Sequence, residues 1–263
     1  MENASNYNEY KNFAVKLAVD TGKILMEYRQ KKFRIDFKEN DKHNVVTEVD
    51  HLAEQFIVAA IKKQYPSHCV LSEEGGDCGL KPSNYRWLID PIDGTVNFAH
   101  GFNCFCVSIA LEKDGELIAA AIHSPMMNET FSASKGGGSF LNETKIAVST
   151  IDQPELALIS LATSKFMPHF KKVQGIRRTG SCAINLAYTA CGRLDASISQ
   201  KIYAWDIAAG ILIIEEAGGK VTTNHGEKII LNQDHNEPYK IVASNNLIHT
   251  YLLEQIKKAT RTT

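Results

Sequence analysis

The sequence predicts an α+β half followed by an α/β half. Two amphipathic helices precede an antiparallel run of strands in the first part, and strands alternate with helices in the second. A change of pattern between Ser149 and Pro154 sets the boundary, so the halves are residues 1–148 and 149–263.

Tyr10, Phe13, Ala14, Leu17, Thr21, Ile24, Leu25 and Tyr28 recur at helical spacing and predict the first helix. After a lysine-rich polar connection, Val49, Leu52, Ala53, Phe56, Ile57, Ala60 and Ile61 predict the second. Thr47-Glu48-Val49-Asp50 fits a capping box at its start. Past Pro66, "CVLSEEGG" and "RWLIDPID" read as strands ending in acidic residues. Pro91 lacks a backbone donor and is expected to end the second of them. "FCVSIALEKDGELIAAAIHSP" predicts a hairpin turning at Asp114-Gly115, and "TFSASKGGGSFLN" continues the meander. Next, "LALISLA" is a buried strand and "RRTGSCAINLAYTACG" a turn leading into a helix of small residues. "WDIAAGILIIEEAGG" is a helix closed by glycine, and "YKIVASNNLIHTYLLEQIKKA" a last strand and helix.

A net charge of −1 over 263 residues gives no general attraction to nucleic acid or anionic membrane, so any anionic ligand needs a local site. No run approaches the ~20 apolar residues of a membrane span. The polar start, "MENASNYNEYKNF", is unlike a secretory leader, and the expected location is the cytoplasm. Cys69, Cys78, Cys104, Cys106, Cys182 and Cys191 show no C-x-x-C spacing and are expected to be free thiols. The histidines show no H-E-x-x-H pattern, which argues against a zinc hydrolase. "KGGGS" lacks the Lys-Ser/Thr of a phosphate loop and reads as a turn. "KFMPHFKKVQGIRR" mixes basic and aromatic residues, but near-neutral charge favours a solvated helix face and a turn over contact with RNA.

Glu73, Asp90, Asp93 and Asp206 fall at the ends of strands or the start of a helix. Taken singly, each has a structural reading: Glu73-Glu74 as a solvated loop, Asp206 as a helix cap, and Asp50 likewise. As a set they read differently. "DPIDGT" followed by "NF", with "EE" upstream and "WDIAAG" downstream, resembles the inositol monophosphatase family of magnesium-dependent, lithium-sensitive phosphomonoesterases. The blocks agree in order and spacing from "VVTEVD" to "EEAGG", nearly the whole chain.

The resemblance implies a layered αβαβα sandwich, the sugar-phosphatase fold shared with fructose-1,6-bisphosphatases, assembled as a homodimer. It implies hydrolysis of a small phosphorylated polyol or sugar, inositol 1-phosphate foremost. Fructose 1,6-bisphosphate, histidinol phosphate and 3′-phosphonucleotides are the alternatives on the same scaffold. A regulatory protein associated with the transcription machinery is the rival of another class. By the same resemblance Glu73, Asp90 and the carbonyl of Ile92 hold one magnesium, and Asp90, Asp93 and Asp206 a second. Magnesium favours hard oxygen ligands, and a cluster of carboxylates is costly without cations. Glu73, Thr95 and Asp50 are the implied catalytic residues, with Thr95 helping to activate water and Asp50 supporting Thr95. The amides of Gly94 and Thr95 would contact phosphate. Gly180, Ser181 and Cys182 match a substrate-contacting turn whose third position is more often alanine; a plain serine N-cap explains Ser181 equally well. Asp93 and Asp206 border the same substrate site. Lys38 matches a loop lysine near a third metal position. Where the family commonly carries a glutamate seven residues before the aspartate of the W-D block, this chain has Ser199, so substrate choice is expected to be relaxed unless Gln200 supplies the missing acceptor.

Overall fold

A computed structural model describes residues 4–31, 33–37, 45–75, 83–231 and 237–261. The first half opens with helix α1 (Ala4–Arg29), a short hairpin of β1 (Ile35–Phe37) and β2 (Val45–Thr47), and helix α2 (Glu48–Gln64). Seven strands follow: β3 (Cys69–Ser72), β4 (Tyr85–Asp93), β5 (Cys106–Lys113), β6 (Glu116–Ser124), β7 (Glu129–Ser134), β8 (Gly138–Leu141) and β9 (Thr144–Lys145). They form one sheet in sequence order, antiparallel except for the β3–β4 pair. The short helix α3 (Thr95–Ala99) leaves the end of β4. The second half comprises β10 (Leu158–Leu161), β11 (Gly175–Arg177), α4 (Cys182–Ala190), β12 (Ala196–Ile202), α5 (Ala204–Glu216), β13 (Lys220–Thr223), β14 (Tyr239–Ser244) and α6 (His249–Arg261). Its five strands lie in the order β11–β10–β12–β14–β13.

Strand alternation explains the layering. Trp87 and Ile89 on β4, with Val107, Ile109 and Leu111 on β5, face a core shared with α1 and α2. Leu88, Ala110, Ala120 and Ile122 face the opposite way, onto α4 and α5. Those two helices are apolar nearly all round because a sheet covers each side: Ile241 and Ala243 of β14 join the same central core. Val242, between them, turns outward with Ile159 and Ile198 onto Leu252 and Ile256 of α6. The result is five layers, αβαβα, with three cores. Gly210 permits the central pair to approach closely, since a Cβ there would lie 2.5 Å from that of Leu186.

The hairpin turn falls on Asp114 and Gly115, both at positive φ, as a two-residue turn requires. Three expectations need correction. First, Pro91 does not end its strand: β4 runs on to Asp93 with a register irregularity between Asp90 and Asp93, where a missing donor is tolerated. Second, the solvated helix expected here is a short 3-10 helix, Ser164–His169, with only one side in solvent: Lys165, Met167 and Pro168 are exposed, whereas Phe166 and the following Phe170 pack in the outer core. Third, Cys69 is disulfide-bonded rather than free, Cys104, Cys106, Cys182 and Cys191 are free as expected, and Cys78 lies outside the described residues. Sequence separation alone carries no information on such a pairing. No described helix is long and apolar enough to cross a membrane.

Candidate metal and substrate site

The bend in β4 is the origin of the site. Asp90 pairs in register with Ser108 of β5, and the Ser108 hydroxyl donates to the Trp205 carbonyl at 3.3 Å. This contact seats the first turn of α5 against the sheet and brings Asp206 beside Asp90. Carboxylate oxygens of Asp90, Asp93 and Asp206 all lie within 4.8 Å of one another. Unscreened by a cation, two such charges repel by about 3–4 kcal/mol at an effective dielectric near 20. Burial, then the charges of Glu73, Asp93 and Asp206, push Asp90 well above the usual carboxylate range. Asp206 is raised well above it by burial and by Asp93 and Glu73, against the Tyr203 N–H that donates to it at 2.6 Å. A buried, oxygen-only donor set that resists carrying its own charge fits a hard divalent cation.

Asp93 is shared between the two halves. It accepts from the Cys182 N–H at 3.1 Å, the Ala183 N–H at 2.9 Å, the Ser181 hydroxyl and, at 3.6 Å, the Cys106 thiol. Burial raises it, and the donors of Ser181, Ala183 and Cys182 offset part of that rise. The carboxylate thus sits on the N-terminus of α4, where free amides favour negative charge. Ser181 is itself the N-cap, accepting from the Ile184 N–H at 3.2 Å. Capping and site geometry coincide here.

On the other side of Asp90, Thr47 and Asp50 form the capping box of α2: Asp50 Oδ2 accepts from the Thr47 N–H at 2.8 Å and from its hydroxyl at 2.5 Å. The other oxygen of Asp50 accepts from the Thr95 hydroxyl at 3.2 Å, which also lies 2.9 Å from the Ile92 carbonyl. Burial raises Asp50 to about 6 despite the Thr47 donors. Gly94, at φ 95°, makes the turn into α3, and a Cβ there would lie 2.9 Å from the Cys104 carbonyl.

Glu73 follows β3 and stands outside the close aspartate trio, although its charge acts on Asp90, Asp206 and Asp50. Its turn is held by Glu54 of α2, which accepts from the Ser72 hydroxyl and, at 2.9 Å, from the Glu74 N–H. Lys38 lies outside the described residues.

A cleft of about 710 Å³ opens above Asp93 and Asp206 and is walled by Gly180, Ser181, Cys182 and Ser199. Ser199 is buried on β12 and accepts from the Cys182 thiol at 3.6 Å. Other wall residues escaped the sequence reading. Asn97 donates to the carbonyls of Cys104 at 2.6 Å and Thr179 at 2.9 Å, tying α3 to the Gly180 turn. Its place just after "DGTV" was the available signal. Ser108, Glu54 and Arg178 carried none individually.

A family model described as the inositol monophosphatase family matches residues 6–261. The chain belongs to this family. It is 37% identical over 262 residues to a protein named Nus factor SuhB of Pseudomonas aeruginosa, covering 94% of this chain and 95% of that one. A fructose-1,6-bisphosphatase/inositol-1-monophosphatase of Thermotoga maritima is 35% identical over 253 residues, again 94% of this chain and 95% of the relative. The crystal structure of the extragenic suppressor protein suhB from Bartonella henselae superposes with a TM-score of 0.87 at 33% identity, covering 94% of this chain and 98% of the other. Its family is one of metal-dependent phosphatases that act on small phosphorylated substrates, and among the described residues Asp90, Asp93 and Asp206 form a carboxylate cluster able to hold a metal ion.

Proposed function

We propose that this chain hydrolyses small phosphomonoesters with magnesium, inositol 1-phosphate among them. The observation that carries the reading is the close trio of Asp90, Asp93 and Asp206, of which Asp93 and Asp206 line a cleft walled by the Ser181 turn. Glu73, Asp90 and the Ile92 carbonyl would hold one cation, and Asp90, Asp93 and Asp206 another. When bound, such ions acidify a water and neutralise the phosphate oxygens.

The chain's own residues do the rest. Thr95 Oγ1 accepts a proton from the attacking water and passes its own to Asp50 Oδ1, 3.2 Å away. A carboxyl held at about 6 suits that task near neutral pH. The Gly94 and Thr95 amides orient phosphate at the turn into α3. Gly180, Ser181 and Cys182 position the leaving group, with Ser199 below them in the place of a charged acceptor. A glutamate there would add a charge-assisted contact to a hydroxyl of about 1.5–3 kcal/mol, roughly ten- to hundred-fold in discrimination. Substrate choice is therefore broad. Residues 1–148 supply most of the cation ligands, residues 149–263 supply Asp206 and the substrate turn, and the working unit is a cytoplasmic homodimer.

Phosphate release from inositol 1-phosphate, glycerol 2-phosphate and fructose 1,6-bisphosphate, measured with magnesium, tests this reading. Release from all three is expected; no release from any of them would refute the reading, and a hundred-fold preference for inositol 1-phosphate would refute the broad choice. The likeness to a Nus factor supports a second role beside the transcription machinery. Co-purification with RNA polymerase, retained in a catalytically dead variant, is the outcome that role requires.

A further inference from the structure

The cleft holds a charge that the phosphatase reading does not use. Its wall carries two acids, Asp93 and Asp206, and one basic side chain, Arg178. The remaining wall is neutral: Asn97, Thr179, Ser181, Cys182 and Ser199 are polar, and Leu161 and Ile202 are apolar. Arg178 is exposed, and among the described residues its guanidinium makes a single hydrogen bond, from Nη2 to the Ala162 carbonyl at 3.3 Å.

Among the described residues Arg178 forms no ion pair, with Asp93, Asp206 or any other carboxylate. A cation that served to neutralise the acidic floor would be paired with it. Both acids are instead held by other donors: Asp93 by the start of α4, Asp206 by the Tyr203 N–H. The Ala162 contact steadies one edge of the guanidinium and leaves Nε, Nη1 and the second Nη2 hydrogen without a partner among the described residues. Nη2 carries two N–H groups and Ala162 takes one; the other, with its neighbour on Nε or Nη1, forms a fork of the shape that takes a phosphate or carboxylate through two parallel hydrogen bonds.

We propose that Arg178 recognises a second anionic group on the leaving portion of the substrate, so that phosphomonoesters carrying a further phosphate or carboxylate are preferred over counterparts that carry the scissile phosphate alone. This rests on the phosphatase reading of the aspartate floor. It makes Arg178 a specificity-determining residue, distinct from the groups that hold the scissile phosphate, and it gives the neutral Ser199 a context. Where an uncharged polyol would be gripped by a carboxylate, this cleft offers a cation instead.

Matched substrate pairs test the proposal. Glycerol 2-phosphate against 2-phosphoglycerate isolates a carboxylate, and inositol 1-phosphate against inositol 1,4-bisphosphate isolates a second phosphate. In the unmodified enzyme kcat/KM should favour the member with the added anionic group in at least one pair by about tenfold or more, chiefly through KM. Which pair responds identifies the anion. Arg178→Ala should reduce that ratio to near one, and Arg178→Lys, which keeps the charge without the fork, should retain part of it. Equal kcat/KM within both pairs would overturn the proposal while leaving the phosphatase reading intact. An equal loss on both members in Arg178→Ala would also overturn it, by assigning Arg178 to the scissile phosphate. Absence of hydrolysis of all four compounds would remove the phosphatase reading itself, and the proposal with it.

Discussion

Asp93 is bound from two directions, and its substitution separates them. Its carboxylate caps α4 through the Cys182 and Ala183 amides while facing Asp90 and Asp206. Asp93→Asn nearly preserves shape, yet turns one oxygen into a donor pointed at N–H groups. Stability should fall by about 1–2 kcal/mol, the scale of a lost helix cap. Turnover should fall by about a hundredfold or more, as expected when the shell of a bound metal is damaged. Urea denaturation and phosphate release read the two losses separately; unchanged turnover at saturating magnesium would show that Asp93 is not a ligand. Lys201 offers a test without chemistry. It lies at φ 57° in the irregular stretch of β12 between Gln200 and Ile202, a conformation that costs a side chain with a Cβ about 1–2 kcal/mol. Lys201→Gly should therefore stabilise the fold by about 1 kcal/mol. A loss of stability would mean that the Lys201 side chain makes an interaction stronger than the strain.

At the scale of elements, the start of α2 and the seam between β3 and β4 each carry a prediction. Thr47→Ala removes the hydroxyl that accepts from the Val49 N–H, at a cost of about 1 kcal/mol, with little change in turnover per folded molecule. Asp50→Asn, which also faces Thr95, should lower turnover more than stability; equal losses of stability alone in both variants would reduce Asp50 to a cap. The seam is pH-sensitive. His68 is stacked between Tyr65 and Tyr85, and its Nδ1 accepts from the Trp87 indole N–H at 3.1 Å. Only the neutral ring can accept there, and burial, then Lys62, hold His68 down at about 4. The charged form is thus disfavoured in the folded chain relative to the unfolded one, whose histidine keeps its ordinary value of 6.5. His68 contributes its full stability above pH 6.5 and loses it as pH falls toward 4. His249, buried between Thr222 and Ser244 and also held at about 4, acts in the same sense. Urea midpoints should drop between pH 7 and pH 5, and less so in His68→Gln, which keeps an acceptor for Trp87 but does not titrate. A midpoint independent of pH in this range would contradict the assignment.

For the molecule as a whole, the parts legible in the sequence are those set by local periodicity and turn chemistry. Ala14, Leu17, Thr21 and Leu25 repeat on one face of α1 and are all buried, and Asp114-Gly115 turns where its φ preference places it. The Thr47 cap was equally legible, because it needs only neighbours in sequence. Features made by pairing were not. Pro91 is tolerated because β5 meets β4 across an irregularity, and no local rule signals that partner. "ASISQKI" lacks an apolar run, yet β12 is central to its sheet because β10 and β14 flank it. The site shows the same division. Asp90, Asp93 and Asp206 stood out through a family pattern, whereas Ser108, Asn97 and Arg178 become meaningful only once the two halves close on each other. Glu54 is intermediate: one helical turn beyond Asp50, it faces the same side of α2, which sequence spacing alone implies.

The central claim is that the buried aspartates form a cation site that drives phosphate-ester hydrolysis. The most direct measurement follows phosphate release from inositol 1-phosphate and thermal unfolding together, through chelation and magnesium readdition, for the unmodified protein and for Asp90→Asn. Chelation should abolish release and lower Tm, since mutual repulsion returns to the trio; magnesium should restore both in the unmodified protein and neither in the variant. Full activity after exhaustive chelation, or an equal response of Asp90→Asn to magnesium, would contradict the account.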